Sequence, residues 1–149
     1  MITTDKTFMR IELVVAPAIE IGTVCGTNRR CIPIVGGVVT GSYQGEVLNG
    51  GADWQRISDD GTIEVDARYV LRLADGLVEI RSRGLRAGPS SVLEQLARGE
   101  TVDPAHYYFR TAMRFSTAAP ALERLNRILV ISRGERMASA VRLTVYEVT

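Results

Sequence analysis

The sequence predicts an all-β fold: a single antiparallel β-barrel of roughly eight to ten strands with one or two short helices. Three observations predict it. Residues 63–73 alternate with a period of two, with Ile63, Val65, Ala67, Tyr69, Leu71 and Leu73 on one face. Glu64, Asp66, Arg68, Val70 and Arg72 lie on the other. Asp75-Gly76 follows at once, a hairpin signal with residues 77–84 as its return strand. Elsewhere short apolar runs between Gly, Pro and polar residues recur along most of the chain, and helical patterns are few.

Taken in order, residues 8–15 are rich in Ile, Leu and Val and read as a strand. Residues 29–39 carry Ile32, Ile34 and Val35, and Pro33 and Gly36-Gly37 interrupt the pattern. Residues 63–73 and 77–84 form the hairpin. Residues 107–115, 128–131 and 141–148 complete the strands, and residues 132–139, which hold Gly134, read as a loop. Two stretches read as helical. Residues 90–99 have Ser at the start, Leu93 and Leu96 at helical spacing, and a terminal Gly, which predicts a helix over 91–98. Residues 118–126 make a short turn with Pro120 near its beginning. No linker, composition shift or internal repeat divides the chain, so all 149 residues form one domain. A closed barrel removes the free sheet edges that template aggregation, and a small one can hold a ligand inside.

Composition bounds the function. Hydrophobic content of 46% and charged content of 23% are ordinary for a soluble globular protein. A net charge of +1 provides no global field toward nucleic acid or membrane. No apolar run approaches spanning length and the first ten residues are polar, so a soluble, cytoplasmic protein is expected. Lys6 is the only lysine, and Arg suits bidentate pairing with carboxylates better than Lys does. Cys25 and Cys31 do not match zinc-ligand spacing and His106 is the only histidine, so no metal site is expected and the thiols read as reduced. The chain has neither a phosphate-binding loop nor a dinucleotide fingerprint, and the reading calls for no cofactor. Arg81, Arg83 and Arg86 form a local basic stretch that reads as a solvated strand edge.

The run Gly50-Gly51-Ala52-Asp53-Trp54-Gln55 sets the only tryptophan between an acid and an amide, after two permissive residues. It reads as a turn or bulge that aims Asp53, Trp54 and Gln55 at a pocket, with Trp54 buried at its mouth; the alternative is a loop over a core Trp with its neighbours in solvent. Arg68 with Tyr69, Tyr108 with Arg110, and Asn126 could supply further polar and aromatic groups. The orientation of residues 63–73 stays open. With its polar face inward, Arg68 is a buried cation that needs Asp53 or Asp66 as partner; with it outward, Arg68 is solvated. Alternation favours the apolar face as inward.

Together these pieces resemble the family known as domain of unknown function 3237. The resemblance spans Gly36-Gly37, the run from Gly45 to Gln55, Asp60-Gly61, Asp66-Ala67-Arg68-Tyr69 and Asp75-Gly76. It continues through Tyr107-Tyr108-Phe109-Arg110, Arg114-Phe115, Leu125-Asn126-Arg127 and Val145-Tyr146-Glu147-Val148. It implies a compact antiparallel β-barrel and makes an inward Arg68 more plausible, and it implies little about a reaction. Residues 87–99 fit the family less well and suggest an entrance particular to this chain.

The leading functional expectation is a cofactor-independent lyase or isomerase acting on a small apolar or aromatic metabolite. In it Asp53 is the acid/base, Arg68 or Arg110 holds a carboxylate or developing negative charge, and Tyr69 donates a proton. Trp54, Gln55, Tyr108 and Asn126 line the substrate. The alternatives are a non-catalytic binding barrel and, third, a structural subunit with a filled barrel. The expected partner is a small molecule, with a homodimer as the expected assembly.

Overall fold

Alternation decides which side chains enter the barrel. In the computed structural model, which describes residues 6–149, Ile63, Val65, Ala67, Tyr69, Leu71 and Leu73 are all buried, while Glu64, Arg68 and Arg72 face solvent. The described strands are β1 (Thr7–Val15), β2 (Ile19–Val24), β3 (Thr27–Gly41), β4 (Gly45–Val47) and β5 (Gly51–Ile57). They continue with β6 (Ile63–Leu73), β7 (Gly76–Ala87), β8 (Tyr108–Ser116), β9 (Val130–Arg136) and β10 (Ala140–Glu147). One α-helix, α1 (Ser90–Ala97), and two 3-10 turns, Pro104–His106 and Pro120–Arg127, accompany them.

The pairing runs β1-β10-β9-β8-β7-β6, and from β6 through β4 and β5 to β3. Antiparallel pairing of β3 with β1 closes the ring. β4 and β5 share one position in it: β4 lies against Val38 and Val39 of β3, and β5 against the stretch from Asn28 to Ile34. The result is an eight-position closed barrel to which β2 adds a hairpin flap along the start of β3.

One interior cluster, including Met9, Ile11, Leu71, Ile80, Phe115 and Val145, fills most of the barrel; Leu122 and Leu125 of the turn Pro120–Arg127 plug its end. At the opposite end Leu96 of α1 packs with Ile63, Val65, Tyr107 and Phe109. Each fully buried side chain of this size contributes about 1.5–3 kcal/mol. The helices bear out the sequence reading within a residue or two, as helix ends usually allow.

Several strands differ from expectation. The stretch read as the loop 132–139 is strand as far as Arg136, because Val130, Ser132 and Gly134 keep an inward alternation that small residues concealed. β3 runs through Pro33 and Gly36-Gly37, and the irregularity is absorbed as a register shift against Val14 and Val15. The Gly-Gly turn is confined to Asn49 and Gly50, after which Gly51 already begins β5. β2, β4 and β5 have no clean apolar alternation of their own, so pairing, not pattern, defines them. No helix among the described residues is long and apolar enough to cross a membrane.

Candidate active site in the barrel lumen

Strand parity delivers a polar group to one end of an apolar lumen. On β5 the inward positions are Gly51, Asp53 and Gln55, and Gln55 is buried. On β7 they run Val78, Ile80, Ser82 and then Arg86, which is only 4% exposed. Arg136 continues the inward series of β9. Arg30 precedes Ile32 and Ile34 on β3. Asp53, Gln55, Tyr69, Ser82, Arg86 and Arg136 all line one cavity of about 40 Å³, whose other walls include Leu13, Val65, Phe109 and Leu143.

Two glycines make the room. A Cβ on Gly51 would lie 2.6 Å from the Cβ of Tyr69, so only glycine lets β5 approach there. A Cβ on Gly134 would lie 2.6 Å from the Phe109 ring. That ring carries the Arg86 guanidinium, whose carbon sits 5.7 Å from its centroid.

Asp53 is held from two sides. The Gln55 side-chain amide donates to its Oδ2 at 2.7 Å, and the backbone N–H of Asp66 donates to its Oδ1 at 2.9 Å. Arg30 Nε donates in turn to Gln55 Oε1 at 2.7 Å, which fixes the amide orientation. Burial raises the Asp53 carboxyl above its ordinary range, and the bonds from Gln55 and Asp66 with the charges of Arg86 and Arg30 offset this only in part.

Around that one carboxylate stand three guanidiniums. Burial pushes Arg86 down to about 10, and repulsion from Arg136 and Arg30 adds to the effect. Burial likewise lowers Arg30 and Arg136. Arg136 is partly tied: its backbone N–H donates to Tyr107 Oη at 2.9 Å and its Nη1 to the Ala140 carbonyl at 3.2 Å. Tyr69 Oη and Arg86 Nε are buried with no hydrogen-bond partner among the described residues. Burial, with the nearby Asp53 charge, drives the Tyr69 phenol upward and keeps it a neutral donor. The Thr111 and Ser132 hydroxyls satisfy each other. Arg86 also lines an open cleft of about 250 Å³ between α1 and the β5–β6 turn, and so stands between cavity and cleft.

The structure brings Asp53, Gln55 and Tyr69 together in the lumen and leaves the other expected residues outside. Arg68 lies on the outer face, 3.0 Å from Glu79, because the apolar face of β6 is the inward one. Asp66, its other suggested partner, also faces outward, 3.6 Å from Arg81. Trp54 is 57% exposed, since it alternates with the inward Asp53 and Gln55. Tyr108 is exposed, with Arg110 stacked 5.1 Å above its ring. Asn126 ties down a loop, its Oδ1 accepting from the Thr117 N–H at 2.8 Å and its Nδ2 donating to the Thr117 carbonyl at 3.0 Å. Arg81 and Arg83 are solvated as expected, but Arg86 is not, and β7 is an inner strand between β6 and β8. Arg30, Arg86 and Arg136 are the residues sequence reasoning missed. Parity with Ile34, Ile80 and Val130 was the signal that could have found them.

A family model described as "Protein of unknown function (DUF3237)" matches residues 4–148. The chain belongs to the DUF3237 family. A UPF0311 protein of Rhodopseudomonas palustris is 42% identical over 136 residues, covering 90% of this chain and 87% of its own. A crystal structure of a conserved protein of unknown function from the same species has a TM-score of 0.92 at 36% identity, covering 100% of this chain and 98% of that one. A β-barrel-like protein from Acinetobacter baumannii gives 0.86 at 36% identity, over 100% and 97% of the two chains. An enzyme from Penicillium herquei shares the fold, with a TM-score of 0.70 at 17% identity over 97% of this chain and 92% of that one. The same barrel fold therefore occurs in bacterial relatives and in a fungal enzyme.

Proposed function

We propose that this protein is a cofactor-independent lyase or isomerase that moves a proton on a small organic acid bound inside the barrel. The observation that carries the reading is the buried Asp53 carboxylate, braced by Gln55 and the Asp66 N–H, facing an excess of guanidinium groups. Arg30 also feels Glu20, so within the lumen the Asp53 carboxylate faces Arg86 and Arg136, an excess of positive charge that calls for an anion. Arg86, which lines both cavity and cleft, is its natural anchor. The apolar walls suit a hydrocarbon or aromatic body. Asp53, desolvated and aimed at that body, takes a proton from it, and the charge that develops is stabilised by the preorganised guanidiniums. Arg86 and Arg136 thus take the role that the sequence reading gave to Arg68 or Arg110.

A non-catalytic carrier is the second reading, favoured by the Arg30–Gln55–Asp53 chain, which is also how a barrel would neutralise a carboxylate with no transfer role. Asp53→Asn separates the two. As an enzyme, the variant binds small acids but loses about 10²- to 10⁴-fold in turnover against a panel of enolisable or decarboxylating acids. As a carrier, neither parent nor variant turns anything over, and the proposal of catalysis is wrong.

A further inference from the structure

We infer that the lumen ligand is a small oxo acid, its carboxylate on Arg86 and its carbonyl oxygen on Tyr69 Oη, with Asp53 against the carbon chain between them. This rests on the lumen site proposed above and names its substrate class.

Two buried polar atoms with no partner among the described residues line the same cavity, Tyr69 Oη and Arg86 Nε. A buried donor without an acceptor is costly, and native interiors rarely keep one without a reason. Both are donors: the phenol is held neutral, and a guanidinium accepts nothing. The Thr111 hydroxyl that lines the cavity is satisfied by Ser132 behind it and asks for no ligand. Two separate acceptors are therefore wanted, and only the one facing the arginines must carry charge.

The register orders these groups along the lumen. Ala67 lies across from Asp53, Tyr69 is two residues further along β6, and Ile63, across from Arg86, is four residues the other way. At about 3.3 Å per residue, the Tyr69 backbone is about 7 Å to one side of Asp53 and that of Arg86 about 13 Å to the other. The carboxylate thus stands between the two donors. The Arg86 side chain reaches back far enough for its charge to act on Asp53, so a short molecule with an acid group at one end and a carbonyl at the other matches this order. The small apolar cavity limits its chain to a few carbons.

The chemistry follows from the placement. Asp53 takes a proton from the carbon next to the carbonyl, the C–H electron pair becomes the C=C bond, and the carbonyl π pair moves onto oxygen. Tyr69 donates a hydrogen bond to that oxygen as its charge grows. Exchange of the Asp53 proton with solvent and its return to carbon reketonise the enolate, a proton-exchange cycle that needs no co-reactant beyond water.

The full-length protein would be titrated in D2O with acetoacetate and levulinate, and with valerate and methyl propyl ketone, which carry one acceptor each. Proton NMR reads both binding and exchange at the carbon beside the carbonyl. The expected result is that an oxo acid binds about tenfold tighter than either control and exchanges faster with protein than without. Tyr69→Phe should bring oxo-acid affinity down to that of valerate and leave valerate unmoved. If valerate binds the parent as tightly as the oxo acids, the inference is overturned while the lumen site stands. If neither these acids nor benzoate perturbs lumen resonances, the site reading falls with it. The ligand comparison on the parent alone decides the matter even where Tyr69→Phe fails to fold.

Discussion

Arg86→Met should make this protein more stable and unable to bind acids. Arg86 is 4% exposed, its Nε is unpartnered, and burial with two neighbouring cations takes its guanidinium down to about 10. At about 1.4 kcal/mol per pH unit, that drop from the usual arginine value disfavours the charged form by about 3 kcal/mol. A base whose folded value is depressed costs the fold nothing above its unfolded value, and the cost grows as pH falls until it is complete below the folded value. At neutral pH the whole penalty therefore applies. Methionine keeps the apolar stem against Phe109 and forfeits the cation–π contact of about 0.5–2 kcal/mol, the attraction to Asp53 being already contained in the drop to about 10. The net expectation is a gain of about 1–2 kcal/mol, consistent with replacing buried charge by apolar volume, or a rise in Tm of about 2–8 °C. Thermal melts of the ligand-free protein at low salt read the first effect, and titration with benzoate reads the second. A variant that melts several degrees lower, or that binds acids as the parent does, would refute the view that Arg86 is kept for a ligand.

Further outcomes follow from the same geometry. Gly134→Ala presses a methyl group into the Phe109 ring and should cost about 1–3 kcal/mol in urea denaturation, with Phe109→Leu in the same chain recovering part of it. Because burial holds Asp53 above the ordinary carboxyl range, its contribution to stability is present below that range and lost as pH rises through the folded value. Asp53→Asn should therefore gain on the parent from acid to neutral pH in denaturation curves taken across that interval; a gap that moves the other way would show the carboxylate to be a stabilising ion. On the outer face Arg81 and Arg114 are direct cross-strand partners of like charge, so Arg114→Glu should stabilise by about 0.2–1 kcal/mol at low salt and less at high salt.

What was legible in the sequence is what alternation writes plainly. β6 and its hairpin to β7 could be read residue by residue, since every second residue of β6 is apolar and a turn signal follows. Asp53 and Gln55 stand out in the sequence because two glycines precede them, and Tyr69 because it follows Arg68 in a family motif; the structure sets all three around one cavity. The arginines were hidden for a physical reason. Arg30, Arg86 and Arg136 sit at inward positions near strand ends, where a charged residue ordinarily signals that burial has stopped. Trp54 misled for the opposite reason: a large aromatic suggests a core, yet its parity with Asp53 sends it outside. β5 itself escaped notice because its inward residues, Gly51, Asp53 and Gln55, are not apolar.

The most direct test of the central claim, that the lumen holds a small acid at Asp53 and Arg86, is the side-chain Nε–H spectrum of nitrogen-15-labelled protein during titration with benzoate and levulinate. Assignment by single Arg→Lys variants distinguishes inner from outer guanidiniums. The account predicts shifts at Arg86 and Arg136 that saturate and vanish in Arg86→Met, with Arg68 and Arg110 unmoved. Shifts confined to Arg68, Arg110 and the other outer arginines would contradict it.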